Sequence, residues 1–492
     1  MGNASYLAVA FEGILLIGAL VVLLVAVVAG RSRAVWAPIA GASFLLAALA
    51  GVLQWIEVEN GGGGMFFSAQ NLQVIKSPMV VLDGFSAMAS IVLGLVGFTA
   101  MLGSWDLVAK VGKRSAEFVA LSLLAFAGLH MMAATPNLVV IFIGLETASI
   151  SFYVLAGFIR ADVKSDESAL KYFLLGSLAS ALFLYGIALT FAATGSLTIY
   201  GVNSIRDFFS ETVVSDPGIL LVGMALMLVG LMFKISAAPF HQWAPDVYQG
   251  APSGAVGLMA AGVKIAGFAA LGRIFVGGFI SQIDTWGPIV AVIAALSMVI
   301  GTTMALVQTD MKRLVAYSGV AHSGYLLLTL LAGVEGMSAM WFYLATYPFM
   351  IVGTFAIIST VSGPTSTSSP IEAMRGLSRR SPEMGWLLAI FMFGMSGMPF
   401  FAGFVGKILA FIAAGDAGYI WLVVVATLTT VIGFAFYLRV VATVFSGEDD
   451  DTTMIDPTLS SRFAVVIGAT VTVVFGIVPW ILIDVVRDAL PL

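Results

Sequence analysis

The sequence predicts an all-α polytopic membrane protein of about fourteen spanning helices, and three observations lead there. Of 492 residues, 60% are apolar and only 10% are charged, against about 25% charged in soluble domains. Mean hydropathy is +1.05. A water-soluble fold cannot hide so much apolar surface, and a disordered chain shows the opposite balance. The third observation is spacing. Apolar windows of about 20 residues, the length that crosses a bilayer, recur between clusters of charge, glycine and proline. The lipid bilayer is therefore the solvent. A net charge of −5 argues against nucleic acid as a partner. With no cysteine, the chain has no disulfide, thiolate metal site, iron–sulfur ligation or cysteine nucleophile. No soluble stretch is long enough for a nucleotide-binding domain.

Each span follows from its flanks. Helix 1 (5–29) has neither a basic flank nor a small-residue cleavage site, so it reads as a retained span. Helix 2 (35–55) lies between Arg33 and Glu57, and a loop (56–79) with Gly61–Gly64 follows it. Helix 3 (80–104) ends before Asp106; helix 4 (115–134) starts after Arg114 and stops before Pro136. Helix 5 (138–159) ends at Arg160, and helix 6 (167–193) ends at the loop 194–216. Helices 7 (217–247) and 8 (254–280) are separated by the turn signal GAPSG. Helices 9 (287–308), 10 (312–332) and 11 (338–361) follow closely; a Ser/Thr/Pro loop (362–383) then leads to helix 12 (384–414). Helix 13 (418–445), an acidic loop with Glu448–Asp451 (446–460) and helix 14 (461–485) complete the chain.

Basic residues orient the spans. Arg31, Arg33, Lys110, Lys113, Arg114, Arg160, Lys164, Lys312, Arg313, Arg375, Arg379, Arg380 and Arg462 fall on one side, and Lys76, Arg206 and Arg487 on the other. The positive-inside rule then puts both termini on the non-cytoplasmic side of the cell membrane.

The informative residues are charges near mid-helix: Glu146 in helix 5, Lys234 in helix 7, Lys264 in helix 8 and Lys407 in helix 12. Each costs about 2.5–3.5 kcal/mol at a helix centre, and bare in lipid the four would cost on the order of 10 kcal/mol. Such residues face a wet interior, pair with one another, or mark an ion pathway. The plain alternative is a buried ion pair that holds helices together.

Helices 7 and 12 are also interrupted. MFKISAAPFHQWAP carries Pro239 five residues after Lys234, and GMSGMPFFAGFVGKIL carries Pro399 among four glycines just before Lys407. Both segments run 31 residues, too long for one straight span. Interrupted helices at matching places in two halves point to a transport site at the midplane. The spacing divides the chain into helices 1–3 (1–110), a five-helix unit of helices 4–8 (111–282), a second of helices 9–13 (283–446), and the acidic loop with helix 14 (447–492). Each unit has its broken helix fourth, and five crossings invert the second unit relative to the first. The match is partial, since helices 10 and 13 have no counterparts of Glu146 and Lys264. Two unrelated proline kinks would give the same punctuation.

Secondary candidates are weaker. His322 relays protons or bonds a neighbouring helix. Lys171, a turn inside helix 6, faces Glu146 or snorkels to the cytoplasm. His130 and His241 read as structural, Glu12 as a lone carboxylate, and Arg273 and Arg439 as anchors near helix ends. No cluster has metal-ligand spacing, and no nucleophile elbow or Ser/His/Asp set is present.

The stretch Phe233–Gly267, FKISAAPFHQWAPDVYQGAPSGAVGLMAAGVKIAG, resembles the antiporter-like subunits of respiratory complex I and of multisubunit cation/proton antiporters. GLETASISFYVLAGF from Gly144, MKRLVAYSGVAHSGY from Met311 and GMPFFAGFVGKILAF from Gly397 agree with it. Within that family PDVYQGAPS is similar to subunit N, whereas subunits L and M and their antiporter relatives typically read PDAH-x-EAP. The long lateral helix of subunit L is also missing. The resemblance implies a proton-translocating membrane-arm subunit of NADH:quinone oxidoreductase. It implies that Glu146, Lys234, Lys264 and Lys407 carry protons, with Lys171 and His322 as further relay positions. It implies no cofactor in this chain, with NAD, FMN, iron–sulfur clusters and quinone in partner subunits. The neighbours would be a subunit M-like chain and the small quinone-proximal membrane subunits. A sodium/proton antiporter subunit, a passive scaffold, and the equivalent subunit of a deazaflavin- or ferredoxin-fed complex are the alternatives. In the expected mechanism Glu146 near Lys234 favours the ammonium, and separating the two favours proton release. Lys264 then passes the proton to Lys407.

Overall fold

A computed structural model describes residues 6–28, 33–66, 78–159, 162–211, 218–447 and 454–488. Arg31, Lys76, Arg160 and the acidic run Glu448–Asp451 lie outside the described residues. Among the described residues twelve helices are long and apolar enough to span a membrane. Helices 1 to 6 are Ala10–Val28, Arg33–Glu59, Gly84–Gly103, Ser115–Ala133, Leu138–Ala156 and Val163–Thr194. Helix 8 is Ser253–Leu271, continued by a wider π-helical turn, Gly272–Gly278. Helices 9, 10, 11, 13 and 14 are Ile283–Leu306, Met311–Leu331, Gly336–Ser362, Ile420–Phe445 and Leu459–Ile477. The two interrupted spans supply the remaining crossings in halves. Helix 7 is Gly218–Lys234 and Trp243–Gly250, and helix 12 is Pro382–Ser396 and Ala402–Asp416. Helix 14 stops short of its expected end: Pro479 separates it from the short helix Trp480–Asp488. A two-stranded antiparallel pair, Gly64–Phe66 with Val80–Leu82, is the only sheet among the described residues.

Helix starts follow their capping residues. The Asn137 side chain accepts from the Val139 N–H at 2.9 Å, and Asp310 accepts from the Lys312 N–H at 2.9 Å. Asp83 and Ser86 form a reciprocal capping box at helix 3.

Helices 8 and 10 are buried along their whole length and form the axis of the bundle, whereas helices 1, 13 and 14 turn most of their surface outward. Burial on all sides fits their lack of a polar face. Glycine sets the closest crossings. A Cβ on Gly128 of helix 4 would stand 2.6 Å from the Gly144 carbonyl oxygen of helix 5. A Cβ on Gly324 of helix 10 would stand 2.7 Å from the Ala294 carbonyl oxygen of helix 9. Helices 4 and 5, and helices 9 and 10, thus pack through small residues in the same way.

Candidate functional site

Lys234 is the last residue of the first half of helix 7, and it is buried. Its Nζ donates to Ser149 Oγ at 2.7 Å. Ser149 lies one turn after Glu146, so helix 5 presents both to the lysine. Glu146 is near enough for its charge to act on Lys234, and its Oε1 is buried without a hydrogen-bond partner. The lysine's hydrogen bond therefore goes to Ser149 and not to the carboxylate.

The interruption in helix 7 frees backbone groups, and neighbouring side chains take them up. The Ala238 N–H donates to Ser297 Oγ at 2.8 Å, and Trp243 Nε1–H to the Phe233 carbonyl at 3.1 Å. The Ile235 carbonyl accepts from Ser323 Oγ at 2.5 Å and from Lys264 Nζ at 3.5 Å. Lys264 Nζ also donates to the Gly319 carbonyl at 2.7 Å and to Ser323 Oγ at 2.5 Å. So Lys264 bridges the break of helix 7 and helix 10. Between Lys234 and Lys264 lies a small cavity of about 10 Å³, lined by both lysines, Ser236 and Tyr248. That is room for about one water.

Beyond Lys264 lies His322, 1% exposed. Its Nδ1 is 2.6 Å from the Tyr343 hydroxyl and its Nε2 3.1 Å from the Tyr437 hydroxyl, which in turn meets Ser318 Oγ. The imidazole packs on Tyr347 with ring centres 4.4 Å apart. His322 shares the Tyr347 ring with Lys264, whose Nζ is 5.8 Å from its centre, and the Tyr325 ring, 5.8 Å away, with Lys407. Lys407 sits in the second half of helix 12. Its Nζ donates to the Ser396 carbonyl at 2.9 Å, the last residue of the first half, and stands 4.7 Å from the centre of the Tyr325 ring. Gly397, at φ 86°, and Phe400, at φ 76°, carry the chain through this break around Pro399. Each interruption thus ends in a carbonyl that a buried lysine holds.

The structure brings Glu146, Lys234, Lys264, His322 and Lys407 into one sequence of neighbours. Lys171 is not part of it. Its Nζ pairs with Glu167 at 2.7 Å and with Asp246 at 2.9 Å, so it does not face Glu146. Asp246, on the second half of helix 7, also takes Arg313 of helix 10 at 2.7 Å. A cavity of about 150 Å³ opens beside this cluster, lined by Lys164, Glu167, Lys171, Asp246 and Gln249. Pro239 starts no helix; the second half of helix 7 begins at Trp243.

Three further expectations change. Arg273 is not a surface anchor. It is fully buried, forms two bonds to Asp83, one of them at 2.7 Å, and donates to the Ala133 carbonyl at 2.8 Å. Lys312 counts as a loop charge by sequence, yet it is buried, and its Nζ holds the carbonyls of Gln249, Ala251 and Ser366. Glu12 is not alone: its Oε1 lies 2.7 Å from His130 Nδ1. Sequence reading also missed Ser149, Ser323, Tyr343 and Tyr437. Ser149 carries a helical-spacing signal from Glu146 and Ser323 adjoins His322, whereas Tyr343 and Tyr437 come from other helices, 21 and 115 residues further along the chain.

Known proteins share this fold. Residues 135–433 match the family described as NADH:quinone oxidoreductase/Mrp antiporter, transmembrane. NADH-quinone oxidoreductase subunit N 1 of Solibacter usitatus is 41% identical, over 82% of this chain and 83% of its own. Subunit N of Trichlorobacter lovleyi is 37% identical, over 85% of each chain. A chain of respiratory complex I from Thermus thermophilus superposes with a TM-score of 0.80 at 32% identity, covering 96% of this chain and 98% of that one. The chain belongs to the NADH:quinone oxidoreductase/Mrp antiporter family, and within it to the NADH-quinone oxidoreductase subunit N group.

Proposed function

We propose that this chain carries protons across the membrane arm of an NADH:quinone oxidoreductase, along Glu146, Lys234, Lys264, His322 and Lys407. The observation that carries the reading is the continuity of buried titratable side chains from one helix break to the other. Lys234 and Lys264 share a cavity, and His322 meets Lys264 across the Tyr347 ring and Lys407 across the Tyr325 ring. A carboxylate close to Lys234 favours its ammonium, and any displacement of Glu146 favours release. The small cavity is where a water would link Lys234 to Lys264. The tyrosines around His322 supply hydroxyls that both donate and accept, so a proton can enter on one side of the ring and leave on the other. Lys171, Asp246 and Arg313 form a hydrated mouth at the end of helix 7 and act as secondary relay or docking charges. With the basic loops on the cytoplasmic side, both termini lie on the non-cytoplasmic face of the cell membrane.

In this reading electrons never enter the chain. NAD, FMN, iron–sulfur clusters and quinone act in partner subunits, and a subunit M-like chain and small quinone-proximal membrane subunits flank this one.

A Lys407→Ala complex tests the row against a passive scaffold. It is expected to assemble in normal yield while NADH-driven acidification of inverted vesicles falls by about tenfold, the cost of roughly 1.4 kcal/mol on a transfer step. Lost assembly with undiminished pumping per assembled complex would favour the scaffold. A second measurement separates the antiporter reading: replacing sodium by choline should leave NADH-driven proton movement unchanged. Sodium dependence would move the function to cation/proton exchange.

A further inference from the structure

A second buried titratable group lies outside the lysine row, in helices 1 to 4. Glu12 of helix 1 meets His130 of helix 4, whose side chain is fully buried; the Glu12 side chain is 14% exposed. The other imidazole nitrogen, Nε2, lies 2.6 Å from Ser90 Oγ of helix 3. Ser90 Oγ is 2.6 Å from Gln54 Oε1 of helix 2, and Gln54 Nε2 donates to the Leu7 carbonyl at 2.8 Å. Phe11 stacks on the imidazole with ring centres 4.2 Å apart.

The directions of these bonds fix where the protons are. A backbone carbonyl only accepts, so the Gln54 amide turns its NH₂ toward Leu7 and its oxygen toward Ser90. That oxygen needs a donor, and Ser90 supplies its single hydroxyl proton. Ser90 then accepts from His130, so Nε2 carries a hydrogen. Nδ1 and Glu12 Oε1 are left 2.7 Å apart with one proton to share. With that proton present the contact is a hydrogen bond, whichever atom holds it. Without it, a lone pair faces a carboxylate at the same distance. Moving the imidazole hydrogen from Nε2 to Nδ1 offers no escape, because Ser90 and Gln54 must then reverse and Leu7 loses its donor. Glu12 Oε2, buried and without a hydrogen-bond partner, adds a second unsatisfied acceptor in the empty state.

We infer that Glu12 and His130 form a proton-binding site separate from the lysine row, whose occupancy holds helix 1 against helix 4. The surroundings keep the site distinct. Asp83, at the start of helix 3, is taken by Arg273 of helix 8. On helix 2, Glu59 accepts from Trp55 Nε1, and Glu57 lies against Gly62. Glu146 of helix 5 acts on Lys234. Toward helix 8, the apolar side chains of Phe126 and Leu129 on helix 4 pack on Gly262. Exchange with the outside runs through the exposed edge of Glu12.

The test is hydrogen–deuterium exchange of the purified, fully assembled complex over a pH series, corrected for the intrinsic exchange rate. Peptides from helix 1 are compared with peptides from helix 14, which also lies at the periphery and whose ion pairs, Arg462 with Glu383 and Asp456, are exposed and include no histidine. Protection of helix 1 is expected to fall about tenfold per pH unit over the range in which the closed site still holds a proton that the opened one has released, and to level off once the closed site empties. In Glu12→Gln the amide donates to Nδ1 at every pH, so the slope should vanish and helix 1 should stay protected. Equal slopes in wild type and Glu12→Gln overturn the proposal. If Glu12→Gln does not assemble, the wild-type comparison decides: a helix 1 slope no steeper than that of helix 14 overturns it, and a steeper one supports it.

Discussion

A Lys264→Met complex should assemble and yet pump protons at least about tenfold more slowly than wild type. Lys264, on helix 8, bridges the break of helix 7 and helix 10. It meets the freed Ile235 carbonyl of helix 7 and the Gly319 carbonyl and Ser323 hydroxyl of helix 10. Methionine fills a similar volume and carries no proton. Ser323 still donates to Ile235 at 2.5 Å, so the break keeps a partner and folding survives. What disappears is the stop between the Lys234 cavity and His322. A longer hop through an apolar gap needs only about 1.4 kcal/mol more barrier to lose a factor of ten. The measurement is NADH-driven proton uptake into inverted vesicles, normalised to assembled complex. Undiminished pumping at normal assembly would remove Lys264 from the path.

Arg273→Met should damage assembly itself. The guanidinium is fully buried and makes two bonds to Asp83, one to the Ala133 carbonyl and one to the Tyr200 hydroxyl. It also lies 4.5 Å from the centre of the Phe85 ring. It joins helix 8 to the start of helix 3, the end of helix 4 and the loop before helix 7. Removing one partner strands the largely buried Asp83 carboxylate, at a cost of about 3–5 kcal/mol. That is a large part of the 5–15 kcal/mol that typically separates folded from unfolded protein. The yield of intact complex and the half-life of its activity on warming should both drop sharply. The double variant Arg273→Met with Asp83→Leu should recover part of the loss, because no bare charge remains. Wild-type thermal stability in the single variant would show that the pair contributes little.

Much of this architecture was legible in the residues, for a physical reason. A bilayer demands about 20 apolar residues per crossing and punishes stray charge, so spans and embedded ionisable groups stand out even in one sequence. Pro239 and Pro399 marked the two interruptions, because a missing donor and a fixed φ leave few alternatives. What stayed hidden was partnership. Nothing local says that Glu12 meets His130, 118 residues on, or that Arg273 reaches back to Asp83. Lys171 was misdirected for the same reason. Its distance from Glu146 along the chain says nothing about Asp246, which the second half of helix 7 carries to it. Lys312 looked like a loop charge because it follows Asp310 at a helix start, yet that start is folded inward under Ser366.

The hydrogen bonds of Lys264 have a consequence of their own. An ammonium has three hydrogens, and three acceptors surround it: the carbonyls of Ile235 and Gly319 and the hydroxyl of Ser323. An amine has two hydrogens and a lone pair that asks for a donor. The nearest donor is the Ser323 hydroxyl, and if it turns to the amine it abandons Ile235. Discharging the lysine therefore trades the short Ser323 bond to Ile235, 2.5 Å, for the amine's own 3.5 Å contact, which loosens the end of the first half of helix 7, and recharging it tightens the end again. The backbone at the interruption thus works as a tally of whether a proton is present.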